Sequence, residues 1–357
     1  MLEGLLCPAR KLWPDRSVFS TLLCACPSTR RAQPLTTFNC TDATPSRRCS
    51  SRYTTMNEVP VETWTRIFAL VCSDGGRMGC ALSETCRYFR DAVLPVQTYS
   101  VALLGATKMV AFHGFLEARP PEYCRVQHLF LSQGGEKDKV SQDVLEGILR
   151  HVGPTLRTLT TLLPQDFLTR ASVLCNPLPR LEELTMHGSF LDLPVAKDGA
   201  TMQESFPSLK YLHFLSACNT VLLFIPRAPR LSHLRLSGIH GVPGALSACL
   251  MRALDSTAPA AAEGVPEFTT LERLIIVPDI GAVRIAQSQY QARRGEMAQL
   301  KARDKLNKLV IVEALHEQDW PPSKQAERRH WEERMQGGAG CWALAEKRRP
   351  VVAWAQV

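Results

Sequence analysis

Histidine and cysteine side chains are the residues of this chain that could most readily hold a metal ion, and their spacing decides whether they do. Cys80 and Cys86 lie six residues apart, and Cys124 and His128 lie four apart. Neither pair is matched by a second pair at the spacing of a zinc site. Three further histidines recur in repeated segments, where surface or core positions are the usual reading: His187, His213 and His233. We therefore expect no metal site.

Motifs for phosphate binding and nucleophilic catalysis are also weak. Gly338-x-Gly340-x-x-Ala343 formally fits a dinucleotide fingerprint, but a charged, helix-like segment precedes it where a strand is required. The sequence contains no Gly-x-Ser-x-Gly elbow, no phosphate loop ending in Gly-Lys-Ser/Thr and no His-Glu-x-x-His. The sequence thus predicts a protein that is not an enzyme and uses no cofactor.

Composition places the chain among ordinary globular proteins. It has 357 residues, of which 45% are apolar and 21% charged, enough to bury a substantial core. The net charge is +8, but residues 1–55 alone carry +5, so the remainder is close to neutral. A near-neutral body argues against a nucleic-acid partner, and the lack of a long apolar stretch argues against a membrane.

The cysteines and the first 55 residues bear on location. The 13 cysteines are odd in number and scattered, with no Cys-x-x-Cys pair, which favours reduced thiols and a cytoplasmic or nuclear protein. Residues 1–55 are basic and rich in Ser and Pro, without helical or strand periodicity. Two interpretations stay open: a mitochondrial transit peptide, or the favoured disordered leader, including one translated upstream of a true start at Met56.

Between Asn57 and Asp91, apolar spacing predicts two short amphipathic helices. Pro60 suits the first turn of the first helix, whose apolar residues share one face: Trp64, Ile67, Phe68 and Val71. After a Gly-rich break, a second helix repeats the spacing with Ala81, Leu82, Thr85, Cys86 and Phe89. Two such short helices cannot close a core alone, so they must pack on a partner or on the rest of this chain.

These residues resemble a known motif. Val-Pro-x-Glu-x-Trp-x-x-Ile-Phe at 59–68, followed by Cys-Arg-Tyr-Phe-Arg at 86–90, is similar to an F-box, with Val59 where Leu is usual and a longer loop between the helices. The resemblance implies docking onto the adaptor subunit of a cullin-RING ubiquitin ligase. It assigns adaptor docking to Val59, Pro60, Trp64, Ile67, Phe68, Leu82 and Phe89.

A second pattern, Leu-x-x-Leu-x-Leu, recurs in variant form from residue 124 to residue 312. The copies begin at Val126, Leu156, Leu181, Leu209, Leu231, Leu271 and Leu306. Alternating apolar residues predict a strand at each copy, and the template resembles the strand of a leucine-rich repeat, which implies a parallel sheet. Helical spacing at 141–152 and 244–254 lies between copies. The fold expected is α/β, an irregular leucine-rich-repeat-like solenoid; an irregular α/β domain is the alternative.

Charged helices are predicted near the C-terminus. Residues 282–308 carry seven bases against two acids, and residues 324–335 read as another charged helix before the Gly-Gly-x-Gly-Cys-Trp tail. Most such runs are solvated faces; a functional one would attract an acidic or phosphorylated partner. The order of segments is similar to that of a large group of fungal F-box proteins.

The predicted organisation has four parts: a leader at 1–55, a short all-helical F-box at 56–105, a repeat stack at 106–320 and a charged helix with its tail at 321–357. The function expected is that of a substrate receptor, with an adaptor and an unknown protein substrate as partners. The alternative is a stand-alone leucine-rich interaction scaffold whose N-terminal helices only cap the stack. Exposure of Trp64, Ile67 and Phe68 should discriminate between them.

Overall fold

The computed structural model describes residues 59–134, 138–163, 176–187, 206–215, 221–239, 241–242, 244–255, 267–278, 287–312 and 324–343. Within these ranges the chain is an α/β protein with one eight-stranded parallel sheet and nine α-helices. This confirms the α/β class and the parallel sheet predicted from the repeats. The predicted leader at 1–55 lies outside the described residues.

Three helices form the N-terminal helical module: α1 (Val61–Val71), α2 (Arg77–Thr85) and α3 (Arg87–Val93). The Pro60 carbonyl opens α1 by accepting hydrogen bonds from the backbone N–H groups of Thr63, at 3.0 Å, and Trp64, at 3.3 Å. The prediction of a single second helix is wrong, because Cys86 is extended, with φ −155° and ψ 168°. The Cys86 Sγ accepts a hydrogen bond from Phe89 N at 3.4 Å and so caps α3.

Eight parallel strands follow one another across the sheet in the order of the chain. They are β1 (Ser100–Leu104), β2 (His128–Ser132), β3 (Thr158–Leu162), β4 (Glu183–His187), β5 (Tyr211–Leu215), β6 (His233–Ile239), β7 (Arg273–Pro278) and β8 (Leu309–Ile311). Each strand therefore pairs only with its neighbours in sequence, and every crossover advances the sheet by one strand.

The seven repeat copies become strands β2 to β8 in a common register. Their central leucines pair side by side across the sheet and are at most 3% exposed: Leu129, Leu159, Leu184, Leu212, Leu234, Leu274 and Leu309. Because side chains alternate along a strand, the next apolar position faces the same way and joins the same core. Leu306 of the last copy is 49% exposed, and it precedes β8, which is the last strand of the sheet among the described residues.

Strand β1 was not predicted, because it lacks the repeat template. It lies within the 56–105 range assigned to the F-box, yet it pairs in parallel with β2. Val101 and Leu103 point into the main core, with at most 1% exposure. The sheet therefore begins one strand earlier than the repeats indicate.

The remaining helices flank the strands. They are α4 (Ala106–Glu117), α5 (Gln142–Val152), α6 (Val221–Phe224), α7 (Gly244–Leu254) and α8 (Gln287–Arg303). Helices α5 and α7 match the predicted segments, and α8 lies inside the predicted 282–308. Buried residues of α4, α5, α6, α7 and α8 join the leucines of one sheet face in a single core. The opposite sheet face is covered by α9 (Lys324–Met335) and a 3-10 turn (Gly340–Trp342).

Candidate docking surfaces

Three aromatic side chains form the centre of the helical module. Trp64 and Phe68 of α1 lie 5.5 Å apart between ring centroids, and Phe89 of α3 is 4.9 Å from Trp64 and 5.3 Å from Phe68. Phe68 is 3% exposed, and Leu82 packs against the same cluster. These four predicted docking residues therefore build the small core that shapes the module, and Phe68 is closed to a partner in this conformation.

The other predicted docking residues lie at the surface. Pro60 is exposed, and Ile67 is 42% exposed on α1. Val59 is half-buried, and its carbonyl accepts a hydrogen bond from the Tyr88 hydroxyl at 2.5 Å. This hydrogen bond connects the residues just before α1 with α3.

An apolar strip on α1, formed by Ile67, Leu70 and Val71, is the most exposed apolar surface of the helical module. Leu70 is 80% exposed and Val71 41%, and the three residues stand three and four positions apart, so they share one face. Val61 on the same helix and Met78 on α2 are also about two-fifths exposed, at 39% and 40%. The predicted set did not include Leu70, although its spacing from Ile67 was a usable signal.

The helical module is fixed to the edge strand of the sheet. The Ser100 hydroxyl donates to the Cys72 carbonyl at 2.7 Å and accepts from the Gly75 N–H at 3.0 Å. Ala102 N donates to the Gly75 carbonyl at 3.3 Å. Gly75 has φ +79°, and a Cβ there would lie 2.9 Å from the Ala102 Cβ, so glycine is required at this joint. The apolar strip is therefore held in a defined place relative to β1.

The second surface is the polar sheet face, which is the face opposite the leucine core. Its side chains form two rows across the strands: Ser100, His128, Thr158, Glu183, Tyr211, His233 and Arg273, then Ala102, Phe130, Thr160, Thr185, His213, Arg235 and Ile275. Polar and charged groups dominate the central strands β3 to β6. Such a face normally lies against water or against a polar partner.

Residues 324–343, here the C-terminal segment, cover the polar sheet face. Trp331 of α9 is 4% exposed and packs on Phe130, with 5.6 Å between ring centroids. Trp342 is 9% exposed, and its ring centroid lies 5.2 Å from Tyr211 and 6.2 Å from His233. The segment thus spans the sheet from β2 to β6.

Gly340 is the turn that brings Trp342 to the sheet. It has φ +54°, and a Cβ there would lie 2.7 Å from the His330 carbonyl and 2.5 Å from the Arg334 side chain. The Gly-rich tail that formally fits a dinucleotide fingerprint therefore closes the chain tightly onto α9. Its glycines serve a backbone turn, with no strand before them.

Glu183 is the carboxylate on which the C-terminal segment converges. Its Oε2 lies 2.8 Å from Arg334 Nε, and its Oε1 accepts a hydrogen bond from the Trp342 indole N–H at 2.9 Å. The Arg334 guanidinium also lies over the Tyr211 ring, 5.2 Å from its centroid. Both oxygens of a nearly buried carboxylate are therefore satisfied by one cation and one indole, a charge-assisted pairing.

Two titratable groups are buried where the C-terminal segment meets the sheet: His213 of β5 and Glu327 of α9. Burial lowers the pKa of His213 to about 3, so its ring is neutral at pH 7, and its Nε2 is 2.9 Å from the Ser237 hydroxyl. Burial alone would raise the pKa of Glu327, but His330, whose Nδ1 is 3.7 Å away, and the charge of the Arg235 guanidinium lower it overall. His213 is fully buried and Ser237 is 3% exposed, so this pair is inaccessible to a substrate in this conformation.

The remaining candidates are the cysteines considered for metal binding and the bases of residues 282–308. Cys80 and Cys124 are buried and Cys86 is exposed, and the described ranges contain no group of three His, Cys, Asp or Glu that could hold a metal ion. Four of the seven predicted bases of 282–308 are engaged within the chain. Lys301 contacts Asp304, Arg303 and Lys305 contact Asp255, and Lys308 donates to the Ala253 carbonyl.

Comparisons with known proteins found no relative. No model of a protein family, no curated protein and no solved structure matches this chain. Among the helices that the structure describes, none has the length and hydropathy needed to cross a membrane.

Proposed function

We propose that this protein is an F-box substrate receptor, which docks the adaptor of a cullin-RING ubiquitin ligase through its helical module and binds a protein substrate through a leucine-rich-repeat-like sheet. The observation that carries the proposal is the apolar strip. Leu70, at 80% exposure, stands beside Ile67 and Val71 on a helix whose other side is closed by its own aromatic core. An apolar side chain left in water on a rigid helix favours a partner that covers it.

The sheet supports the receptor half of the proposal. Its strands follow chain order, and equivalent leucines align from β2 to β8, as one repeating unit added per strand would require. Catalysis would belong to the ligase partners. A cytoplasmic or nuclear location is proposed with it, because scattered cysteines without a Cys-x-x-Cys pair favour a reducing compartment.

The experiment is co-purification of the full chain with the adaptor. The variant Ile67→Asp/Leu70→Asp places two charges on the apolar strip and should weaken adaptor binding at least a hundredfold, since buried apolar anchors carry most interface energy. The matched control is Val110→Asp on α4, which alters a residue that is 53% exposed outside the helical module. Equal binding by the wild type and both variants would refute docking through the strip.

A stand-alone interaction scaffold is the second candidate. It is favoured by the burial of Phe68 and by the hydrogen bonds that fix the module to Ser100, because both features suit helices that simply cap the sheet. A folded wild-type chain that binds no adaptor would select this candidate.

A further inference from the structure

The contact between the C-terminal segment and the polar sheet face combines apolar packing of Trp331 and Trp342 with polar recognition. At its centre Glu183 holds both the Arg334 guanidinium and the Trp342 indole. Arg235 adds a hydrogen bond from its guanidinium to the Cys341 carbonyl, and Lys324 donates from its ammonium to the Gln133 carbonyl. Such contacts specify the chemistry of the group that fits, whereas the leucine core on the other face requires only apolar volume.

The same contact leaves buried polar atoms without hydrogen bonds. Among the described residues, His213 Nδ1 on the polar sheet face and Trp331 Nε1 on α9 are buried and have no hydrogen-bond partner. A buried polar atom without a partner favours the open state, in which water would satisfy it. The closed contact is therefore specific but not optimal, as expected for an occupant that can be exchanged.

We propose that the polar sheet face is a peptide-binding site, that the C-terminal segment occupies it in cis, and that its protein ligand is a segment presenting an arginine and a tryptophan to Glu183 and Tyr211. The ligand replaces the C-terminal segment by making the same contacts. The inference rests on the proposed function only in naming the substrate class of the receptor; the site itself does not depend on adaptor docking.

The test uses the full chain with a protease site placed between residues 313 and 323, ahead of α9. After cleavage, a fluorescent peptide of residues 324–343 is added in excess and its binding is followed by anisotropy. The cleaved chain should bind the peptide. The uncleaved chain should bind it at least a hundredfold more weakly, because its tethered segment competes at a high effective concentration.

Peptide variants test the chemistry of recognition. Arg334→Ala and Trp342→Ala peptides should each bind at least tenfold more weakly, since each loses a contact to a nearly buried carboxylate. The matched control is an Arg329→Ala peptide, which loses the same charge from an exposed position of α9 and should bind like the parent. In the cleaved chain, Glu183→Gln should weaken binding of the parent peptide without unfolding the sheet.

Two results would overturn the proposal. One is a cleaved chain that stays folded by circular dichroism but takes up no peptide over a day. The other is equal binding of the parent, Arg334→Ala and Trp342→Ala peptides. Failure of adaptor docking is distinguishable, because Ile67→Asp/Leu70→Asp should leave peptide exchange unchanged and Glu183→Gln should leave adaptor binding unchanged.

Discussion

Neighbouring residues of α1 have two different roles, one in the core of the helical module and one at its surface. Phe68 is buried against Trp64 and Phe89, while Leu70 projects into solvent. One turn of helix therefore carries both the residue that holds the module together and the residue best placed to meet a partner. Apolar character alone did not separate these tasks, because the sequence marks Phe68 and Ile67 in the same way and burial depends on where α3 packs.

Alanine substitutions should separate the two tasks. Phe68→Ala removes a ring from the module core and should lower the free energy of unfolding by about 3–5 kcal/mol, as typical for buried aromatics. Leu70→Ala should change it by less than about 0.5 kcal/mol, because the side chain is in water. Urea unfolding measures both, and similar values for the two variants would contradict the division.

His213 gives the fold a dependence on pH. Its pKa is lowered to about 3 in the folded chain against an ordinary 6.5, so between these values the unfolded chain binds the extra proton and stability falls as pH falls. His128, with a pKa lowered to about 4 by burial and by Arg157, acts in the same direction.

The free energy of unfolding should therefore fall between pH 6.5 and 4 by up to about 1.4 kcal/mol per pH unit for each buried histidine. His213→Gln keeps a polar group facing Ser237 but does not titrate, so its slope should be smaller. Urea melts at three pH values measure the slope. A wild-type chain with no slope over this range would refute a buried, neutral His213.

At the scale of elements, local signals were sufficient where a template repeats and insufficient where elements meet. Seven strands, α5 and α7 follow from apolar periodicity in the sequence, and α9 matches the charged helix predicted at 324–335. Strand β1 does not, because it has no template and owes its place to pairing with β2 and to Gly75. The break between α2 and α3 at Cys86 could not be predicted either, because the apolar spacing continues through it.

The joint between the helical module and β1 depends on Gly75. Gly75→Ala should destabilise the chain by about 1–3 kcal/mol, because it forces a non-glycine residue to φ +79° and crowds Ala102. Gly114→Ala on α4 is the control: no atom lies within 4 Å of its added Cβ, so better helix propensity should stabilise by up to about 1 kcal/mol. Thermal unfolding measures the stability of both variants. A Gly75→Ala variant as stable as the wild type would show that the joint does not require glycine.

In the whole molecule, the apolar strip is exposed at one edge of the sheet, and the C-terminal segment covers the polar sheet face. The strip could be approached from the sequence, since Ile67 was among the predicted docking residues. The covering of the polar sheet face by the C-terminal segment could not be predicted from the sequence, because contacts such as that of Glu183 with Trp342 join residues 159 positions apart. The sequence of α9 indicates a solvated charged helix, and the structure shows that its Trp331 packs on Phe130 of the sheet.

Docking of the adaptor on α1, as we propose, can be tested by hydrogen–deuterium exchange of the full chain with and without adaptor. We expect added adaptor to slow exchange in residues 61–71 and to leave exchange in the strands β3 to β6 unchanged. The Ile67→Asp/Leu70→Asp variant should show no slowing. Slowing confined to the sheet, or none at saturating adaptor, would contradict the claim.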